Sequence, residues 1–148
     1  MKILLINGPN LNMLGKRKQD IYGDKTLSEI ESAVMKKAKQ LGATFKAFQS
    51  NHEGELIDFL QAEAPRADGI IINPGALTHY GLSLRDALDD ANLPIIEVHI
   101  SDIHAREDWR SKSVIQELAK AQICGHGWQG YIEAVDMLVD ILNTKKNK

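Results

Sequence analysis

Three stretches of this chain, KILLIN (2–7), GIIIN (69–73) and PIIEVHI (94–100), are apolar almost without interruption. A strand with one wet face alternates polar and apolar residues, so unbroken runs of this length belong in a sheet covered on both faces. The segments between the runs carry a helical signal. Thr26 and Glu29 form a capping box, Leu27, Ile30, Val34, Ala38 and Leu41 follow at helical spacing, and Gly42 stops the helix. Ser50 and Glu53 predict a second capping box ahead of ELIDFLQAEA, with Leu56, Ile57, Leu60 and Ala64 on one face. Leu84, Ala87, Leu88 and Ala91 mark a third helix, and Tyr131, Ala134, Val135, Leu138 and Leu142 give a closing helix its buried stripe. ATFKAFQ (43–49) alternates as a strand near a sheet edge should, and AQICGHG (121–127) supplies a fifth strand. The tail TKKNK reads as frayed.

Five strand–helix units with short connections predict an α/β fold, a parallel sheet with helices on both faces, because right-handed crossovers put them there. For this size the expected arrangement is flavodoxin-like, a five-stranded parallel sheet in the order 2-1-3-4-5, forming one domain over residues 1–148. Ligands of such sheets bind beyond the carboxyl ends of the strands, at the switch point between the first and third.

Composition narrows the partners. A formal net charge of −2 offers no field for nucleic acid or an anionic membrane, which leaves a small molecule or another copy of the chain. No stretch approaches the ~20 apolar residues of a membrane span, and the apolar run at the N-terminus is too short for a signal peptide. The single cysteine, Cys124, excludes a disulfide within the chain and reads as a structural thiol of a reducing, cytoplasmic setting.

Polar residues suited to catalysis gather at the predicted strand ends. NGPNLNMLGKRKQDIYG follows the first strand, NPGALTHYG the third, and EVHISDIHAREDWR spans the end of the fourth. The predicted fold collects Asn10, Arg17, Tyr22, Asn73, His79, His99 and Arg110 around one crevice. Several chemistries can be set aside. His79, His99 and His104 form no HxxxH pair and no compact ligand cluster, so no metal is expected. NGPNLN is not a dinucleotide fingerprint, no Walker loop or GxSxG is present, and Cys124 has no activating neighbour. Proton transfer without a cofactor remains.

Its two candidates are a tyrosine flanked by cations and a histidine at a strand end. A free phenol is only about 0.1% ionised at pH 7. A guanidinium in contact favours the charged form, and Arg17 suits this better than Lys16 or Lys18 because it cannot lose its proton. Tyr22 could then remove a proton from a carbon beside a ketone, with Asn10 or a water it holds stabilising the enolate. His99 could protonate a leaving hydroxyl from the other side, and Glu97, two residues earlier on the same strand face, could orient its ring.

INGPNLNMLGKR, IYG, QSNHEGELID, INPGALTH, LRDAL, EVHIS and HAREDWR, in that order and at those spacings, resemble the type II dehydroquinases (3-dehydroquinate dehydratases) over essentially the whole chain. The resemblance implies anti elimination of water from 3-dehydroquinate to give 3-dehydroshikimate, without cofactor, in a dodecamer built from trimers. Both aromatic biosynthesis and quinate breakdown use that reaction. It implies Tyr22 as proton acceptor, His99 as proton donor, Arg17 as transition-state stabiliser, and Asn10 as holder of the enolate's water. Asn73, His79, Asp86, Ile100, Ser101 and Arg110 would bind the substrate's hydroxyls and carboxylate.

Some positions depart from the family pattern. Lys18 and Gln19 stand where the lid usually carries Glu-Pro, which predicts a less preorganised lid. Leu77, Tyr80 and Gly81 replace usual hydroxyl-bearing residues, and Asp102 replaces an asparagine beside the expected carboxylate site, where it would weaken anion binding. The bland readings are a solvated cation for Arg17, a packing ring for Tyr22 and an ion-paired helix acid for Asp86. Arg106 is expected behind the site or in a structural ion pair. A non-catalytic small-carboxylate binding module on the same fold is the alternative function. A flavin carrier is disfavoured, since no Ser/Thr-rich phosphate loop follows the first strand.

Overall fold

The apolar runs lie side by side at the centre of one sheet. The computed structural model describes residues 1–148, in the order β1 (Lys2–Asn7), α1 (Gln19–Tyr22), α2 (Leu27–Gln40), β2 (Thr44–Gln49), α3 (Glu53–Glu63), β3 (Gly69–Asn73), α4 (Leu82–Ala91), β4 (Ile95–His99), β5 (Ala121–Cys124) and α5 (Gln129–Lys146). All strand pairs are parallel and the order is β2-β1-β3-β4-β5, the flavodoxin-like arrangement. The strand side chains divide by their period of two. Ile3, Leu5, Ile71, Ile96 and Val98 join the core under α2 and α5, while Leu4, Ile6, Ile70, Ile72 and Ile95 join the core under α3 and α4. Each of these central side chains contributes about 1.5–3 kcal/mol on burial, and Ile71→Ala would cost ~2–5 kcal/mol. No helix is long and apolar enough to cross a membrane.

The helix ends show which local signals held. The Thr26 hydroxyl accepts from the Glu29 N–H at 3.2 Å and so caps α2, but the Glu29 carboxylate returns to that hydroxyl, at 3.1 Å, rather than to the Thr26 N–H of a full capping box. Gly42, at φ +75°, ends α2 with the paired bonds Gly42 N–H to Lys39 O and Ala43 N–H to Ala38 O, a Schellman motif. The second expected box does not form. The N-cap of α3 is His52, because the Ser50 hydroxyl is taken by the His52 N–H and the Glu55 carboxylate, and Glu53 Oε2 accepts instead from the Leu84 N–H. Leu41 is not part of the buried stripe; it caps α2 and is 36% exposed. The tail is helical to Lys146, where Lys145 and Lys146 in the last turn complement the helix dipole.

Strand ends β1 and β3 are pinned to each other, which places the loops that follow. Asn7 and Asn73 are in register. The buried Tyr131 hydroxyl donates to Asn7 Oδ1 at 2.7 Å and accepts from Asn73 Nδ2 at 2.9 Å. Burial pushes that phenol well above its usual range, so it stays a neutral crosslink. The next residue, Gly8, must lack a side chain, because a Cβ there would lie 2.2 Å from Pro74 O. The loops after β1 and β3 therefore leave the sheet in backbone contact.

Candidate active site

One pocket opens at the carboxyl ends of β1, β3 and β4. Its walls include Asn10, Arg17, Tyr22, Asn73, His79, His99, Ile100, Ser101, Arg106 and Arg110. Nine of the ten residues expected from the sequence are thus together. The exception is Asp86, which is exposed on α4 and takes no part in the pocket.

The lid spans Gly15 to Gly23, and both glycines hold positive φ, +86° and +79°. The left-handed geometry is needed at Gly15, where a Cβ would also meet Thr26 Cγ2 at 3.0 Å. Within the lid, Gln19 opens the helical turn α1 and its Nε2 donates to Gly15 O at 2.6 Å. Gln19 thus closes the first half of the lid on itself, where the usual proline would have stiffened it instead. Arg17 lies over the face of Tyr22, with Cζ 4.2 Å from the ring centroid. The contact to the phenol oxygen comes from elsewhere. Arg106 Nη1 donates to Tyr22 Oη at 3.0 Å and to Ser101 Oγ at 3.1 Å. Arg106, expected behind the site or in a structural ion pair, lines the pocket, and its Nε also lies 3.9 Å from Glu107 Oε2.

Across the pocket, His99 and Glu97 lie on the same face of β4, as the strand period requires. His99 Nε2 is 2.6 Å from Glu97 Oε1, and Glu97 is fully buried. Burial opposes that charge, but the hydrogen bond and charge of His99, with the hydroxyls of Thr78 and Ser113, outweigh it and hold the carboxyl below its usual range. With Nε2 engaged on the carboxylate, Nδ1 is the ring nitrogen left for the pocket. His79 Nδ1 is 2.7 Å from Lys112 O, so Nδ1 carries the hydrogen and Nε2 is the free nitrogen. Burial is the main reason that this histidine's pKa is lowered, which favours the neutral ring.

Asn10 sits at φ +70°, its N–H held by Asn51 Oδ1 at 2.9 Å. Asn73 Oδ1 accepts from the Gly75 N–H, so the amide is fixed at both ends. Arg110 stacks on Trp109, 4.1 Å from the ring centroid, and its Nε bonds Glu107 Oε2 at 2.6 Å. Asp102 is not in the pocket wall; its carboxylate accepts from the His104 N–H at 3.0 Å and caps the following turn. Leu77 is core, and Tyr80 is 65% exposed. No three His, Cys, Asp or Glu side chains converge so as to hold a metal ion. The wall carries three guanidiniums and no acidic side chain, so it suits a small anion.

The model of the class II dehydroquinases matches residues 1–139. The chain belongs to the class II dehydroquinase family. The 3-dehydroquinate dehydratase of Roseiflexus castenholzii is 58% identical over 139 residues, 94% of this chain and 88% of that one. The catabolic 3-dehydroquinase 1 of Aspergillus terreus is 52% identical over 134 residues, 90% of this chain and 88% of its own. The crystal structure of the type II dehydroquinase from Butyrivibrio crossotus superposes with a TM-score of 0.90 at 46% identity, covering 93% of this chain and 97% of that one. As a class II dehydroquinase the chain is an enzyme, a hydro-lyase.

Sequence reasoning missed two groups around this dehydroquinase site, and it set Arg106 behind the site or in a structural ion pair rather than in the wall. Thr78 and Ser113, the hydroxyls on Glu97, had weak signals: Thr78 adjoins His79, and Ser113-Val-Ile-Gln116 has the spacing of a capping box.

Proposed function

We infer that this protein is a 3-dehydroquinate dehydratase, and we propose that Tyr22 and His99 carry the two proton transfers. The single observation behind the mechanism is the Tyr22 phenol held between two guanidiniums, Arg17 on its ring face and Arg106 on its oxygen, in a pocket without acids. The Tyr22 oxygen, as phenolate, takes the proton from the carbon next to the ketone, and the electron pair moves onto the ketone oxygen to form an enolate. Asn10, directly or through a water, stabilises that oxygen. The electrons then return, the bond from carbon to the β-hydroxyl breaks, and His99 gives the departing oxygen its proton. The products are water and a carbon–carbon double bond conjugated with the ketone.

Arg110, Ser101 and the backbone at Ile100 would take the substrate carboxylate, and Asn73 and His79 its hydroxyls. Asp86 could reach substrate only from another copy of the chain, which fits a homo-oligomer; a dodecamer of trimers is the assembly we propose. The guanidinium-lined wall alone would also serve a carboxylate-binding module. The buried Glu97 behind His99 favours catalysis, since binding an anion gives no reason to bury a carboxylate beside it. Ultraviolet absorbance tests the reading directly: 3-dehydroquinate added to the folded protein should give the rising signal of a conjugated enone. Saturable heat of binding without that rise would favour the binding module.

A further inference from the structure

Behind His99 lies a group of oxygens that does not line the pocket. Glu97 and Thr78 are fully buried and Ser113 nearly so. Three groups converge on one carboxylate oxygen, Glu97 Oε1: His99 Nε2 at 2.6 Å, Thr78 Oγ1 at 2.6 Å and Ser113 Oγ at 2.8 Å. The two hydroxyl oxygens are themselves 2.7 Å apart. The other carboxylate oxygen, Oε2, is buried without any partner, so the stabilisation of this charge rests on Oε1.

The hydrogens can be counted. Ser113 Oγ accepts from the backbone N–H groups of Ile115 and Gln116 at 3.2 and 3.1 Å, which fills both of its lone pairs. Its one proton therefore points away from that turn and is shared between Oε1 and Thr78 Oγ1. Ser113 has no lone pair left for Thr78, so Thr78 gives its own proton to Oε1. Receiving the Thr78 proton and a share of the Ser113 proton, Oε1 is an acceptor and Glu97 carries the charge. The backbone around the two hydroxyls also holds the second histidine, since the Val114 N–H donates to Thr78 O at 2.7 Å and Lys112 O holds His79.

We propose that Thr78 and Ser113 are positioning residues for the elimination: through Glu97 they keep His99 Nε2 bonded to the carboxylate and leave Nδ1 to deliver the proton. The proposal rests on the reading of His99 as the general acid. Removing either hydroxyl takes a donor from the deprotonated Glu97–His99 pair, which carries a net negative charge in a buried place. The protonated pair is net neutral and loses less. The pair must then hold its proton more tightly and titrate at higher pH. The other titratable or charged groups around it are His79, Tyr22 and Arg17 of the lid, Arg106 and Arg110 after β4, and Cys124, which faces His99 across the β4–β5 register. Ser113→Ala and Thr78→Val leave all of them in place.

The test is a magnetic-resonance titration of ring-labelled histidine in the intact protein, with the His99 signal assigned by its loss in His99→Asn. The midpoint of the Glu97–His99 pair should rise by roughly half a pH unit or more in Ser113→Ala and in Thr78→Val, and return close to wild type in Thr78→Ser. The alkaline limb of kcat should move by the same amount, with KM changed much less. If Thr78→Val does not fold, Ser113→Ala carries the test alone. An unmoved midpoint in the folded variants overturns the proposal, whether activity falls or not. A wild-type protein that does not turn over 3-dehydroquinate would instead overturn the reaction, and the ring titration would still decide the role of the two hydroxyls.

Discussion

Tyr22 and Arg106 are 84 positions apart in the chain, yet Arg106 Nη1 donates to the Tyr22 phenol oxygen at 3.0 Å. The lid cation Arg17 meets the ring face instead. A cation over the face steadies the ring, whereas a donor on the oxygen acts where charge develops during proton abstraction. Arg106→Met should therefore lower kcat by about 10²-fold, with Arg106→Lys recovering part of the loss. Steady-state kinetics on both variants check this, and a loss confined to KM would assign Arg106 to binding instead.

The lid should also depend on Gln19. Its 2.6 Å bond to Gly15 O ties the two ends of the segment that carries Lys16, Arg17 and Lys18. Gln19→Ala should raise the rate of tryptic cleavage after these residues several-fold and increase KM, while leaving the melting temperature nearly unchanged. Equal cleavage rates in the two proteins would show that the tether does not hold the lid.

Glu63 gives the protein a distinct acid dependence. Hydrogen bonds from Lys46 and Lys2 hold its carboxyl at about 2, below the ordinary 4.5. The stabilisation is therefore complete above pH 4.5 and lost as pH falls through about 2. Since Lys2 lies on β1 and Lys46 on β2, the bonds help to keep the edge strand docked. Thermal melts of wild type and Glu63→Gln should differ most near neutral pH, with the gap closing between pH 4.5 and 2; a constant gap would contradict this.

Much of this layout was legible in the sequence, for reasons particular residues make plain. Ile70, Ile71 and Ile72 announce a strand buried on both faces because no polar residue interrupts them. Thr26 and Glu29 were readable because both partners of the cap lie within one turn. Ser50 misled because its hydroxyl and Glu53 each answer to other residues, Glu55 and the distant Leu84 N–H. The pocket's members were readable because parallel α/β sheets gather ligands at strand ends. Which cation reaches the phenol oxygen was not, since that depends on how the loop after β4 folds back over the lid. Nor could periodicity place Thr78 and Ser113 on one buried carboxylate, as the contact joins three separate segments.

Cys124 provides a check on the site's surroundings that needs no substrate. Burial, with the nearby charges of Glu97 and Asp102, pushes its thiol up to about 11. At pH 8 the native protein should react with a thiolate-directed reagent at least tenfold more slowly than the unfolded chain. Equal rates would contradict the packing described for β5.

The most direct measurement is turnover of 3-dehydroquinate by wild type and Tyr22→Phe, followed as enone absorbance, with ligand binding measured on the same samples. The account predicts steady turnover for wild type and a loss of about 10³-fold or more for Tyr22→Phe, with binding largely kept. Near-normal turnover without the phenol oxygen would contradict the assignment of Tyr22 as the base.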